Sequence, residues 1–248
     1  MSGIDHWLLP EGIEEMLPEQ AWRLERVRRR LLDAYRGWGY ALIVPPMIEF
    51  LESLLTGTGH DLDLQTFKLT DQLTGRLLGV RADMTPQAAR IDAHALKREQ
   101  AVRLCYLGTV LRTRPDGFAG SRSPLQVGCE LFGHAGIESD LEILGLMLET
   151  LRLTGIERVH LDLGHVGIFR GLTRAAGLSA EQEADLFDVL QRKALPEIEA
   201  LLDSFGTAAP WRARLASLAS LHGGAEVLEQ ARAALTGAGD AVAAALDN

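Results

Sequence analysis

VRLCYLGTVLRTRPDGFAGSRSPLQVGCELF, residues 102–132, decides the fold. Two apolar, strand-like runs, 102–113 and 125–132, flank a loop rich in glycine, serine and charge, so strands close in sequence are expected to pair. Working outward, residues 66–70 and 76–80 flank a turn-like 71–75 and predict a hairpin. Residues 40–44 form a short β-rich run ended by Pro45 and Pro46, and 159–163 read as a further strand. Helices are predicted over 18–35, 85–97 and 138–154. In the first, Pro18 suits the opening turn, and Ala21, Leu24, Val27, Leu31, Leu32 and Tyr35 recur at helical spacing until Gly37 and Gly39 stop it. The regular βαβ alternation of a parallel sheet is missing. The pattern therefore predicts an α+β class, an antiparallel sheet flanked by helices.

From His165 the character changes to consecutive short helices rich in Ala, Leu and Glu, with breaks near Gly177, Pro196, residues 206–210 and Gly223. Two domains are expected, a mixed core over 1–164 and a helical segment over 165–248.

Composition narrows the function. Hydrophobic residues make up 47% and charged residues 24% of the 248, an ordinary globular balance. The net charge of −9 opposes polyphosphate, so no nucleic-acid partner is expected. Arg23, Arg26, Arg28, Arg29 and Arg30 on the first helix are interleaved with Glu19 and Glu25, which reads as a solvated or partner-facing side. Two cysteines, Cys105 and Cys129, make no disulfide framework, and a reducing, cytoplasmic setting follows as the expectation. The N-terminus has no secretory pattern, and the apolar stretch near 40–48 is too short and proline-broken to span a bilayer, so no membrane association is expected. No Walker loop, GxGxxG after a strand, HExxH or CxxC is present, and the seven histidines lack metal-ligand spacing. Neither a metal nor a cofactor is expected.

The informative features come as an ordered set: LLPEG at 8–12, VPPMIEF with Pro46 and Glu49, VRADMT at 80–85, LGTVLRT with Arg112, and, fourteen residues later, QVGCE from Gln126 to Glu130. A zwitterionic amino acid needs a cation or donors for its carboxylate and acceptors for its ammonium; an imidazole needs an acceptor for its N–H. Asp83, Thr85 and Gln126 offer acceptors and a donor, and Arg112 offers a planar fork. Gln126 and Glu130, four apart on a strand, point to one face. The bland alternative is a strand with a solvent-facing polar side.

In order and spacing these motifs resemble the histidyl-tRNA synthetase family. The matching pieces are an N-terminal helix, a proline-ended motif 1 strand, a hairpin, a PEGT-type loop and a motif 2 ending in Q-x-G-x-E. RKALPEIEALL from Arg192 is similar to the family's helical insertion. The resemblance implies a class II synthetase-like fold with a histidine site. Asp83, Thr85 and Gln126 would hold the α-amino group, Glu130 the imidazole, and Arg112 the carboxylate.

The departures from the family pattern bear on catalysis. The acid of the PEGT-type loop is shortened to Asp83, and its glycine becomes Met84, a bulky change near the ligand. Arg114 stands where the family carries a glutamate that helps to seat ATP. The basic motif 2 loop becomes 115–123 with Asp116 and Gly120, although Arg122 survives. The glycine- and tyrosine-rich segment, the motif 3 arginine and an anticodon-binding domain do not appear, and a complete sheet of this fold would need strands from beyond residue 248. The resemblance thus implies a non-catalytic branch of the family. Its members accompany the short catalytic subunit of the first enzyme of histidine biosynthesis, activate it and take part in feedback inhibition by L-histidine. A self-dimer through 34–49 is implied as well. Two rivals remain: an active histidyl-tRNA synthetase-like, adenylate-forming enzyme, and an assembly protein with a vestigial pocket.

Overall fold

In the computed structural model, which describes residues 7–56, 60–115, 117 and 120–247, the chain forms two compact units, Met1–Val159 and His160–Asn248. The sequence places the break a little later, at 164.

The first unit opens with α1 (Pro18–Gly37), whose inner face buries Leu31 and Tyr35. Leaving it, the chain runs through β1 (Ala41–Leu42) until Pro45 and Pro46, which lack N–H donors and end pairing. Next come β2 (Ile48–Phe50), α2 (Leu51–Leu54), α3 (His60–Gln65), β3 (Phe67–Thr70) and β4 (Leu77–Val80). The β3–β4 hairpin pairs Phe67 with Val80 as its sequence predicts. Its turn is built on Asp71, whose Oδ1 accepts Leu73 N–H at 3.1 Å and whose Oδ2 accepts the Thr74 hydroxyl at 2.6 Å.

The helix predicted over 85–97 differs in its second half. It starts as α4 (Thr85–Arg90) and then widens into a π-helical stretch, Ile91–Leu96, that stops at left-handed Lys97 (φ 49°). The strands β5 (Val102–Thr109) and β6 (Leu125–Phe132) follow, and α5 (Ile137–Thr154) ends at Gly155 in the left-handed conformation that glycine adopts without penalty.

Among the described residues the strands form two three-stranded sheets, in the orders β1-β5-β6 and β2-β4-β3. All pairings are antiparallel except β1 beside β5, where Ala41 pairs with Leu104 in parallel. Arg81, only 7% exposed, fastens the segment between them: Nη1 donates to Pro45 O at 2.7 Å and Nε to Thr109 O at 2.9 Å. β5 ends four residues before the predicted strand does, yet Arg112 still bridges to Thr66. One core layer, with Leu31, Tyr35, Tyr40, Cys105 and Leu146, lies between the sheet, α1 and α5. A smaller cluster on the opposite face joins Met84, Ala88, Tyr106 and Val110.

The strand expected over 159–163 is not formed. No neighbouring strand accepts its backbone bonds among the described residues, and Val159, Leu161 and Leu163 are exposed.

The described residues of the second unit form helices and no strands: α6 (Val166–Ala175), α7 (Ala180–Gln191), α8 (Leu195–Ser204), α9 (Ala209–Ser217), α10 (Val227–Ala234) and α11 (Asp240–Asp247). The breaks before α7, α8 and α9 have local causes. Gly177 turns at φ 74°, Ser179 and Gln182 form a reciprocal capping box, and proline sits in the first turns of α8 and α9. Leu172, Leu186, Ile198, Leu202 and Leu215 are fully buried at its centre, each side chain contributing about 1.5–3 kcal/mol of burial free energy.

Candidate functional site

The antiparallel register of β5 and β6 builds the site. Gly108 stands opposite Gln126, Tyr106 opposite Gly128, and Leu104 opposite Glu130. Gln126, Gly128 and Glu130 therefore share one face of β6, and the Tyr106 ring lies on that face across Gly128. A Cβ at Gly128 would stand 2.4 Å from both Cζ and the hydroxyl oxygen of Tyr106, so any larger residue there must push the Tyr106 ring aside. The opposite face carries Cys105 and Cys129, directly paired and both reduced; burial raises the Cys105 thiol to about 11 and Cys129 to about 12.

Residues 83–85, the end of the β4–α4 connection and the first residue of α4, supply the second wall. Gln126 Nε2 donates to Asp83 Oδ1 at 2.6 Å, and Gln126 Oε1 accepts the Met84 N–H at 2.9 Å. Asp83 Oδ1 also accepts the Thr85 N–H at 3.0 Å. The Thr85 hydroxyl lies 2.9 Å from the Tyr106 hydroxyl, which donates to Glu130 Oε1 at 2.9 Å. Because the phenol proton goes to the carboxylate, Thr85 must be the donor to Tyr106. Burial above all, with the Glu130 charge adding to it, pushes the Tyr106 phenol well above its ordinary value and keeps that proton in place.

Asp83, Thr85, Gln126 and Glu130 thus join one hydrogen-bonded network. Arg112 meets its edge, where Nε donates to Ala82 O at 3.4 Å. Among the described residues, Asp83 Oδ2 and Glu130 Oε2 accept no hydrogen bond within the chain, which leaves one carboxylate oxygen near each end of the network. Chemically, this arrangement suits a ligand with a cationic amine at one end and a ring N–H at the other.

Tyr106 is the member that the motif reading missed. Its signal was a lone phenol in an apolar strand, placed to face the glycine of Q-x-G-x-E once the register is known. Met84 corrects an expectation: its side chain is 1% exposed and packs with Ala88, Tyr106 and Val110, so it lies under the site and offers no surface to a ligand. Arg114 is exposed, and Asp116 lies outside the described residues. Among the described residues, no group of three or more His, Cys, Asp or Glu is placed to hold a metal ion.

A family model described as histidyl-tRNA synthetase matches residues 12–248. The chain belongs to the histidyl-tRNA synthetase family. Within that family it is similar to proteins named ATP phosphoribosyltransferase regulatory subunit. The one from Thioalkalivibrio sulfidiphilus is 64% identical over 247 residues, covering 100% of this chain and 62% of the relative. The one from Alkalilimnicola ehrlichii is 59% identical over 242 residues, covering 98% of this chain and 60% of the relative. The chain therefore spans less than two thirds of the length of these relatives. Among solved structures, one described as an ATP phosphoribosyltransferase regulatory subunit/histidyl-tRNA synthetase from Bacillus halodurans superposes with a TM-score of 0.84 at 29% identity. It covers 100% of this chain and 63% of that one. The histidyl-tRNA synthetase of Nostoc matches at a TM-score of 0.74 and 15% identity, over 97% of this chain and 56% of that one, a likeness of fold alone. The class II synthetase-like fold of the family is the fold of this chain. Among the described residues no helix is long and apolar enough to cross a membrane.

Proposed function

We propose that this protein is a non-catalytic regulatory subunit of ATP phosphoribosyltransferase, working in the cytoplasm with the short catalytic subunit and sensing L-histidine. The observation that carries the sensing role is the network joining Asp83, Gln126, Thr85, Tyr106 and Glu130, with an unused carboxylate oxygen near each end. Histidine would place its ammonium against Asp83 and Thr85, its ring N–H on Glu130 and its carboxylate toward Arg112. The similarity at 64% and 59% identity to proteins named as regulatory subunits supports the assignment to that branch. Arg114, a cation where the family seats ATP with a glutamate, argues against adenylate chemistry.

A site that keeps amino-acid contacts and loses nucleotide contacts regulates by binding two conformations of an assembly unequally. Co-purification with the short catalytic subunit, followed by histidine titration of the complex, tests this reading. A complex whose catalytic rate does not respond to this chain would end it. The double name carried by the Bacillus halodurans structure keeps a synthetase as the second reading. ATP–pyrophosphate exchange with histidine distinguishes the two, and is expected to be absent here.

A further inference from the structure

We infer that Tyr106 is the positioning residue that sets the selectivity of this site, because its single hydroxyl orients the acceptors at both ends of the network. The inference rests on the histidine reading above and adds to it a residue outside the predicted ligand set.

Tyr106 has one proton and gives it to Glu130 Oε1 at 2.9 Å. That bond holds the carboxylate in one orientation and leaves Oε2 for a ligand. The same oxygen accepts from Thr85, so the Thr85 proton points inward and its lone pairs point away from Tyr106. One hydroxyl therefore makes Thr85 an acceptor for an ammonium and Glu130 a fixed acceptor for a ring N–H. Its own place is enforced twice: the ring is 2% exposed, and Gly128 beneath it leaves no room for a Cβ. A buried acceptor held in this way rejects an isosteric ligand that lacks the N–H, because binding such a ligand strips water from Oε2 and returns nothing.

The test compares L-histidine with β-(2-thienyl)-L-alanine, whose five-membered ring has no N–H, in the wild-type protein and in Tyr106→Phe and Gly128→Ala. Tyr106→Phe removes one oxygen and keeps the ring over Gly128, whereas Gly128→Ala keeps the hydroxyl and displaces it. Both variants are expected to narrow the histidine-to-thienylalanine preference by about tenfold, the loss of one well-placed bond to a charged group. Affinity for thienylalanine should change by less than about twofold. Melting temperature reports folding, and if one variant does not fold the other decides.

An unchanged preference in a folded variant overturns the role of Tyr106 and leaves the histidine reading standing. Equal weakening of both ligands also overturns it, since a strut would act on both alike. A wild-type protein that binds no histidine removes the parent reading, and this inference with it.

Discussion

Glu130 has one oxygen committed to Tyr106 and one that accepts no hydrogen bond among the described residues, so under the proposed function its substitution separates the ring contact from general packing. Glu130→Gln keeps the shape and loses a charge-assisted bond, of order 1.5–3 kcal/mol. Histidine should then bind about ten- to a hundredfold more weakly by calorimetry. Glu130→Ala should cost at least as much, while exposed Arg114→Ala should leave histidine binding nearly unchanged. Equal losses in all three would mean unfolding, and no loss at Glu130 would place the ligand elsewhere. At this scale the sequence was informative where strand alternation applies: Gln126 and Glu130 share a face because side chains repeat every two residues. It was uninformative for Met84, because nothing in the sequence of a connecting segment says which way a side chain turns. Tyr106 stayed hidden for a related reason, since the β5–β6 register that sets it over Gly128 depends on how the intervening loop closes.

The elements of the first unit are held by a small number of polar clamps, and the one joining α5 to the sheet is sensitive to acid. Glu142 on α5 takes both Arg103 Nε at 2.6 Å and Arg103 Nη2 at 2.7 Å, and accepts the Tyr40 hydroxyl at 2.8 Å. The Arg103 hydrogen bonds, foremost, hold the Glu142 carboxyl below its ordinary value of 4.5. A depressed folded value gives stability that is complete above about pH 4.5 and fades as the pH falls through that lower value. Glu142→Gln should therefore be less stable than wild type at pH 7 in urea melts, with the gap closing as the pH falls below about 4.5 and through the lowered Glu142 value. A gap that stayed constant with pH would assign the effect to shape alone. The long helices α1 and α5 and the helical run of the second unit were legible because glycine, proline and capping residues mark their ends locally, whereas the short α2 and α3 were not. The parallel β1–β5 pair, and the failure of 159–163 to become a strand, were not legible. Both depend on whether another strand lies alongside, and a single run of residues cannot specify that.

At the scale of the whole molecule, the net charge of −9 opposes a tRNA partner, and under the proposed function Arg114, exposed where the family carries a glutamate that helps to seat ATP, disfavours adenylation. Stoichiometric protein mixed with ATP and histidine should give no burst of histidyl-adenylate, and a burst would restore the synthetase reading. The segment 34–49 joins α1 to β2 and, although it belongs to the first unit, leaves Trp38, Leu42, Val44, Met47 and Ile48 more than two fifths exposed, with Val44 at 87%. Apolar groups clustered in sequence and left in water favour a partner surface, and a two-fold contact between identical copies is the commonest way to cover such a patch. The motif 1 resemblance of the same segment points the same way. Sedimentation of the wild-type protein at tens of micromolar should show a dimer. Val44→Asp should shift it toward monomer by placing a charge in the buried contact, without lowering the melting temperature of the monomer, because Val44 packs against little in its own chain. A wild-type monomer under these conditions would remove the dimer, and a dimer indifferent to Val44→Asp would move its interface away from 34–49.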